Sequence, residues 1–199
     1  MSKKKLLLIV FGSVLLVLAG SAAWMLGPAL LPPKSIDVGI ALDAQAPIDM
    51  PLLDSKGQST SLAQEMGPKG IVLILVRSAD WCPFCKAQLV RTKEIRPDIE
   101  KAGYNLASLS YDPPETLADF ADAKGIDYAM LSDQGSKMID ALGLRDPQYG
   151  KDSFAYGVPR ATILIVGSNG SVEAKYVAED YRSRPPNDVV LSMLNEVKS

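Results

Sequence analysis

At 199 residues, with two cysteines, no histidine and a formal net charge of −2, the chain is long enough for one well-cored domain plus an appendage but short for two domains. A zinc site built from Cys and His needs four ligands that are not present, and a His-based catalytic triad is excluded. Three of the 21 basic residues are Lys3, Lys4 and Lys5, which leaves 18 against 23 acidic residues in the rest of the chain. That remainder is mildly acidic and has no basic stripe, so nucleic-acid binding is disfavoured.

Residues 1–5 read as a cytoplasmic tail and residues 6–27 as a transmembrane anchor. No charged residue occurs between Leu6 and Pro33, and about 20 apolar residues suffice to span a bilayer as a helix. The lysines ahead of the apolar run predict a cytoplasmic N-terminus and an extracytoplasmic domain, periplasmic in a Gram-negative cell. A cleaved signal peptide is the alternative, with Ser21-Ala22-Ala23 as small residues for cleavage, and it exports the domain equally. Residues 28–46 mix Pro, Gly, Ala and Asp and read as a tether to a domain over 47–199.

Within that domain, Ile48 to Leu53 and Gln58 to Leu62 flank the turn signal Asp54-Ser55-Lys56-Gly57 and predict a hairpin. Ile71 to Val76 is apolar at every position, as in a strand covered on both faces. A helix follows from Pro83, broken by Pro97 and closed at Gly103. Tyr104 to Tyr111 predicts the next strand. Asp112, with Glu115 three residues on, reads as the N-cap of a helix that ends at Gly125. Tyr128 to Leu131 predicts a short strand and Ser136 to Leu142 a short helix. Arg145 to Tyr156 is poor in apolar residues and reads as a surface loop, an insertion near the active site. Ala161 to Val166 and Val172 to Val177 flank Gly167-Ser168-Asn169-Gly170, a second hairpin, and Asn187 to Val197 predicts a closing amphipathic helix.

Both cysteines lie in Trp81-Cys82-Pro83-Phe84-Cys85-Lys86, where the buried strand hands over to a helix. Free N–H groups and the positive end of the helix dipole favour a thiolate at such a junction. A bridge across so short a loop is a poor staple, because its entropic gain scales with loop length. A redox pair is the better reading, and Cys82, nearest the helix start, is the better nucleophile for disulfide exchange. Its thiolate attacks a substrate disulfide, and Cys85 then attacks Cys82 and releases the product thiol. Trp81 is a wall of the site or packing beneath it. Asp80 and Asp112, the acids nearest in sequence, read as caps or surface residues.

The order hairpin, strand, Cys-x-x-Cys at a helix start, strand, helix, hairpin and last helix is similar to a thioredoxin-like domain. Trp81 ahead of the cysteines resembles thioredoxins and membrane-anchored thiol-disulfide reductases. Asp80 to Gln88, Leu109 to Phe120, Leu131-Ser132-Asp133 and Tyr156 to Thr162 resemble the redoxin family, which groups alkyl hydroperoxide reductase and thiol-specific antioxidant proteins. The resemblance covers about residues 46 to 197. It implies an α/β thioredoxin-like fold, a central mixed sheet flanked by helices with an N-terminal β-hairpin extension.

The chain departs from both patterns. Thioredoxins carry a buried acid on the strand before the motif, where Val76 and Arg77 stand here. Pro159 takes the place of their cis-proline, and aligning on Thr162 instead puts Arg160 there, near the catalytic arginine of a peroxiredoxin. The peroxiredoxin motif lays Cys85 on the peroxidatic slot, Cys82 on its Thr or Ser, and Ser78 on its Pro.

The resemblance therefore implies an oxidoreductase exchanging disulfides through Cys82 and Cys85, with Trp81, Pro83, Pro159 and Arg160 in support. Its partners are protein or small-molecule thiols and disulfides, the membrane, and an electron donor that the sequence does not identify. No cofactor and no metal are expected. A peroxiredoxin-like thiol peroxidase, in which one cysteine forms a sulfenic acid that the other resolves, is the alternative. A non-catalytic carrier of a soft metal ion held by two thiols is a third reading.

Overall fold

The computed structural model describes residues 34–197. The anchor and tail expected over residues 1–27 lie outside the described residues. Among the described residues no helix is long and apolar enough to cross a membrane.

Two short strands, β1 (Leu52–Leu53) and β2 (Ser59–Thr60), form the first hairpin. Its turn is held by the Asp54 carboxylate, which accepts from the backbone N–H groups of Lys56 and Gln58. A single helical turn, α1 (Leu62–Glu65), follows, starting on the last residue of the predicted run. The side chain of Ser61 caps it by accepting from the N–H of Gln64. Strand β3 (Gly70–Leu75) enters the middle of the sheet. A Cβ on Gly70 would lie 2.0 Å from the Val166 carbonyl oxygen, so only glycine allows this start to the strand.

Helix α2 (Pro83–Thr92) passes through one 3₁₀ turn (Lys93–Ile95) into α3 (Arg96–Lys101). Pro97 sits in the first turn of α3, where a missing N–H costs nothing, so the predicted break is a restart. Then come β4 (Tyr104–Ser110), α4 (Pro114–Lys124), β5 (Ala129–Ser132) and α5 (Lys137–Ala141). The late hairpin β6 (Thr162–Gly167) and β7 (Val172–Val177) is followed by the closing helix α6 (Asn187–Val197).

The sheet is mixed and thioredoxin-like, in the order β2-β1-β5-β4-β3-β6-β7. Strands β3, β4 and β5 are parallel, and β6 runs antiparallel to β3. Alternate side chains of β3 feed two separate apolar layers, as a period of two requires. Val72, Ile74 and the following Val76 pack with Leu89, Ile99, Leu117 and Leu194 of the helices on one face. Ile71, Leu73 and Leu75 pack with Leu62, Met138 and Ile139 on the other.

The described part of the expected tether, residues 34–46, is not a free linker. It runs against the β7 side of the sheet through bridges from Ser35 to Ala178 and from Gln45 to Ser171. Lys175 holds it by donating to Asp37, Val38 and Ile40. Ile36, Val38 and Ile40 pack against the core, and that apolar triplet is what an unstructured tether would lack.

Candidate active site

The C-terminal ends of β3 and β4 open at the same end of the sheet, and there the chain leaves β3 for α2 through residues 76–82. Cys82 is the N-cap of α2, and Pro83 fills its first turn. The Cys82 Sγ accepts from the backbone N–H of Cys85 at 3.3 Å. The two cysteines are joined as a disulfide with Cα atoms 5.2 Å apart, and both are buried, at 1% and 0% exposure.

The loop before them is fixed from β4. Asp112, expected as a helix cap, instead turns inward at 4% exposure, and Pro113 takes the N-cap position of α4. One carboxylate oxygen of Asp112 accepts from the Ser78 hydroxyl at 2.8 Å; the other accepts from the Ala79 N–H at 2.7 Å and the Ser110 hydroxyl at 2.8 Å. The Ser78 oxygen in turn accepts from the N–H groups of Asp80 and Trp81. Asp112 thus reaches the residue before Cys82 through one hydroxyl. Burial raises the Asp112 carboxyl above its ordinary range, against the three hydrogen bonds, which pull it down. Asp80, by contrast, is exposed.

Trp81 is half-buried. Its Nε1 donates to the Tyr111 hydroxyl at 3.2 Å, and its ring meets Phe154 edge-on at 5.2 Å. Arg77 lies against the rings of Trp81, Tyr149 and Tyr181 at 5.0, 4.9 and 4.1 Å, in cation–π geometry, and donates to the Tyr149 hydroxyl. Phe84, between the cysteines, meets Tyr181 edge-on. The residues read as a surface loop over 145–156 therefore supply Tyr149 and Phe154 to the site.

The cation at the sulfurs is Arg184. Its Nη2 lies 3.1 Å from Cys85 Sγ and 4.0 Å from Cys82 Sγ. Burial pulls its guanidinium down to about 10, Arg77 and Arg91 repel it further, and Asp180 opposes them. Sequence reasoning missed this residue, which comes from the irregular segment between β7 and α6. The segment is tied to α2 by Arg91 Nη2 donating to the Pro185 carbonyl and Asn187 Nδ2 donating to the Arg91 carbonyl.

Pro159 and Arg160 stand just ahead of β6, whose first residue, Thr162, pairs with Leu75 at the end of β3. Pro159 is buried in a bridge with Arg145, and its peptide bond is trans. The Arg160 N–H donates to the Leu144 carbonyl, and its side chain lines a cleft of about 890 Å³ with Asp146, Tyr149, Glu179 and Tyr181. Tyr149 and Tyr181 line that cleft and also stack on Arg77. Among the described residues no group of three or more His, Cys, Asp or Glu side chains is arranged to hold a metal ion.

A cysteine pair at a helix start beside an arginine is a redox site, and the family model for the AhpC/TSA family matches residues 42–175. The chain belongs to the AhpC/TSA family. It is an oxidoreductase with the thioredoxin-like fold. Peroxiredoxin Bcp of Escherichia coli (strain K12) is 28% identical over 149 residues, which cover 73% of this chain and 90% of that protein. The chloroplastic peroxiredoxin Q of Gentiana triflora is 26% identical over 153 residues, covering 74% of this chain and 67% of that one. Among solved structures, peroxiredoxin Q of Xanthomonas campestris superposes with a TM-score of 0.64 at 23% identity over 81% of this chain and 98% of its own. All three of these relatives are named peroxiredoxins.

Proposed function

We propose that this AhpC/TSA protein is a thiol peroxidase in which Cys85 attacks the peroxide and Cys82 resolves the product. The observation that carries this reading is Arg184 Nη2 at 3.1 Å from Cys85 Sγ. A guanidinium so placed favours the thiolate, and it also donates to the peroxide oxygen on which negative charge develops. The Cys85 thiolate takes the near oxygen of the hydroperoxide and becomes a sulfenic acid; the O–O bond breaks, and the far oxygen leaves as an alkoxide that is protonated to the alcohol. The Cys82 sulfur then attacks Cys85, forms the disulfide and expels the hydroxyl as water. Two electrons and two protons from an external dithiol return the pair to thiols.

The full-length chain with Cys82→Ser is expected to consume one equivalent of peroxide and to yield a dimedone adduct on Cys85. Cys85→Ser is expected to lose peroxide turnover, and Arg184→Met to slow it by about 10²-fold. A dimedone adduct on Cys82 in the Cys85→Ser variant, with turnover retained, would reverse the assignment. Disulfide exchange is the second reading, favoured by the N-cap placement of Cys82 and the Cys85 N–H on its sulfur. It predicts that Cys85→Ser accumulates mixed disulfides at Cys82 and that peroxide turnover is negligible.

We further infer that the domain works outside the cytoplasm on a membrane tether. The support is the run without charges after Lys3, Lys4 and Lys5. Carbonate-washed membranes should retain the full chain, and protease added to intact spheroplasts should digest the domain. Recovery in the soluble cytosol would reject the tether.

A further inference from the structure

Arg77 is 4% exposed, and among the described residues no carboxylate forms an ion pair with it. Its Nε has no hydrogen-bond acceptor. A buried cation without an acid is costly unless its surroundings stabilise it. Three aromatic rings do so here, and each comes from a different stretch of the chain: Trp81 from the loop before Cys82, Tyr149 from residues 145–156, and Tyr181 from the segment between β7 and α6. A planar guanidinium is suited to stacking on several rings at once, as an ammonium is not. The shortest of the three contacts is to Tyr181, at 4.1 Å.

Tyr181 stands three residues before Arg184, and its ring also meets Phe84, between the cysteines, with centroids 5.9 Å apart. The turn that carries it is closed by the Ser183 N–H donating to the Asp180 carbonyl and the Arg182 N–H donating to the Asp180 carboxylate. On the other side of Arg184, the chain is held to α2 by Arg91 Nη2 on the Pro185 carbonyl and Asn187 Nδ2 on the Arg91 carbonyl. The Arg184 guanidinium has little else to fix it. Its Nη2 reaches the two sulfurs, while its buried Nε and Nη1 have no acceptor. Where it lies is therefore set by the two points at which its backbone is held, and Tyr181 is the upstream one.

We propose that Arg77 is a positioning residue: by stacking on Tyr181 it fixes the upstream end of the segment 181–185 and so keeps the Arg184 guanidinium at the Cys85 sulfur. Arg77 makes no hydrogen bond to either sulfur and acts through the Tyr181 ring. The inference rests on the part of the proposed mechanism in which Arg184 favours the Cys85 thiolate, and it holds whether the oxidant is a peroxide or a disulfide.

The test follows the thiol itself. In the full-length chain carrying Cys82→Ser only Cys85 remains, and the pH profile of its alkylation by iodoacetamide gives its pKa. Adding Arg184→Met is expected to raise that pKa by about 1 unit or more. Arg77→Met and, separately, Tyr181→Leu should each reproduce most of the rise, and Tyr181→Phe, which puts a ring back, should rescue the profile. Because Arg77 and Tyr181 act through Arg184, neither Arg77→Met nor Tyr181→Leu should add a further rise when combined with Arg184→Met.

A rise from Arg77→Met that persists in the Arg184→Met background shows Arg77 acting on the thiolate by its own charge, and overturns the positioning role. If Arg77→Met fails to fold, Tyr181→Leu and Tyr181→Phe decide the matter by the same criteria. An unshifted profile in Arg184→Met overturns this inference together with the role given to Arg184, whereas a shift there with none in Tyr181→Leu overturns this inference alone. The expected thiol shifts in a chain that turns over no peroxide support the positioning role and remove the peroxidase reading by itself.

Discussion

A buried carboxyl that accepts from two hydroxyls and a backbone N–H has both of its oxygens engaged. Asp112 is in that position, holding Ser78, Ala79 and Ser110 beneath the loop that ends at Cys82. Asparagine keeps one oxygen and turns an amide N–H₂ towards a donor. Asp112→Asn should therefore cost about 1–3 kcal/mol of stability and loosen Trp81, read as a change in its fluorescence and near-UV circular dichroism. The pH dependence has a definite sign. Because burial raises the folded-state carboxyl above its unfolded value, the titration of Asp112 favours the folded state fully below the unfolded pKa, near 3.8. That contribution is lost as pH rises through the higher folded value. The stability advantage of the natural chain over Asp112→Asn should thus shrink with rising pH across that window, which melting temperatures of the two proteins will show. An advantage that grows with pH would mean the hydrogen bonds outweigh burial. In sequence, Asp112 followed by Glu115 reads as a capping box, and only the tertiary fold shows that Pro113 displaces it. Arg184 carries even less local signal: it lies 99 positions from Cys85, and Pro185-Pro186, which stiffen the chain before α6, are its only local mark.

At the level of elements, the sequence was most legible where one periodicity or one punctuating residue decides the outcome. The apolar run of β3 supplies both layers of the core because its neighbours β4 and β6 cover both edges. Pro97 marks the restart between α2 and α3, and the turn at 167–170 marks the β6–β7 hairpin. Elements set by long-range contact were harder to read. The segment 34–46 alternates only over Ile36, Val38 and Ile40, a run too short to read as a strand, and its backbone is satisfied by β7, the β6–β7 turn and the Leu142 carbonyl. Residues 145–156 read as a surface loop inserted near the active site because their apolar content is low, and Tyr149 and Phe154 do contact Arg77 and Trp81, though no local signal singled out those two rings. A few aromatic contacts can position a loop that has no periodic face of its own. The site itself followed the same division. Cys82, Cys85, Pro83 and Trp81 sit together because they are contiguous, whereas the arginine whose guanidinium touches the Cys85 sulfur, Arg184, comes from far along the chain.

For the whole molecule, a redox cycle through Cys82 and Cys85 requires that the dithiol and disulfide forms both stay folded. The disulfide joins residues only three apart in sequence, so the loop-entropy model gives it about 2 kcal/mol at most. Two apolar layers on opposite faces of a seven-stranded sheet do not depend on it. On the proposed mechanism, reduction places a thiolate beside the Arg184 guanidinium, an attraction that the disulfide form lacks and that offsets part of the lost constraint. The net change on reduction should therefore be smaller than the loop term alone. Urea unfolding of the full-length chain with and without excess dithiothreitol is expected to remain a single cooperative transition with an unchanged slope. Its extrapolated stability should fall by less than about 2 kcal/mol. Loss of cooperativity on reduction would show that the bridge is a structural staple, and would remove the argument for a catalytic pair.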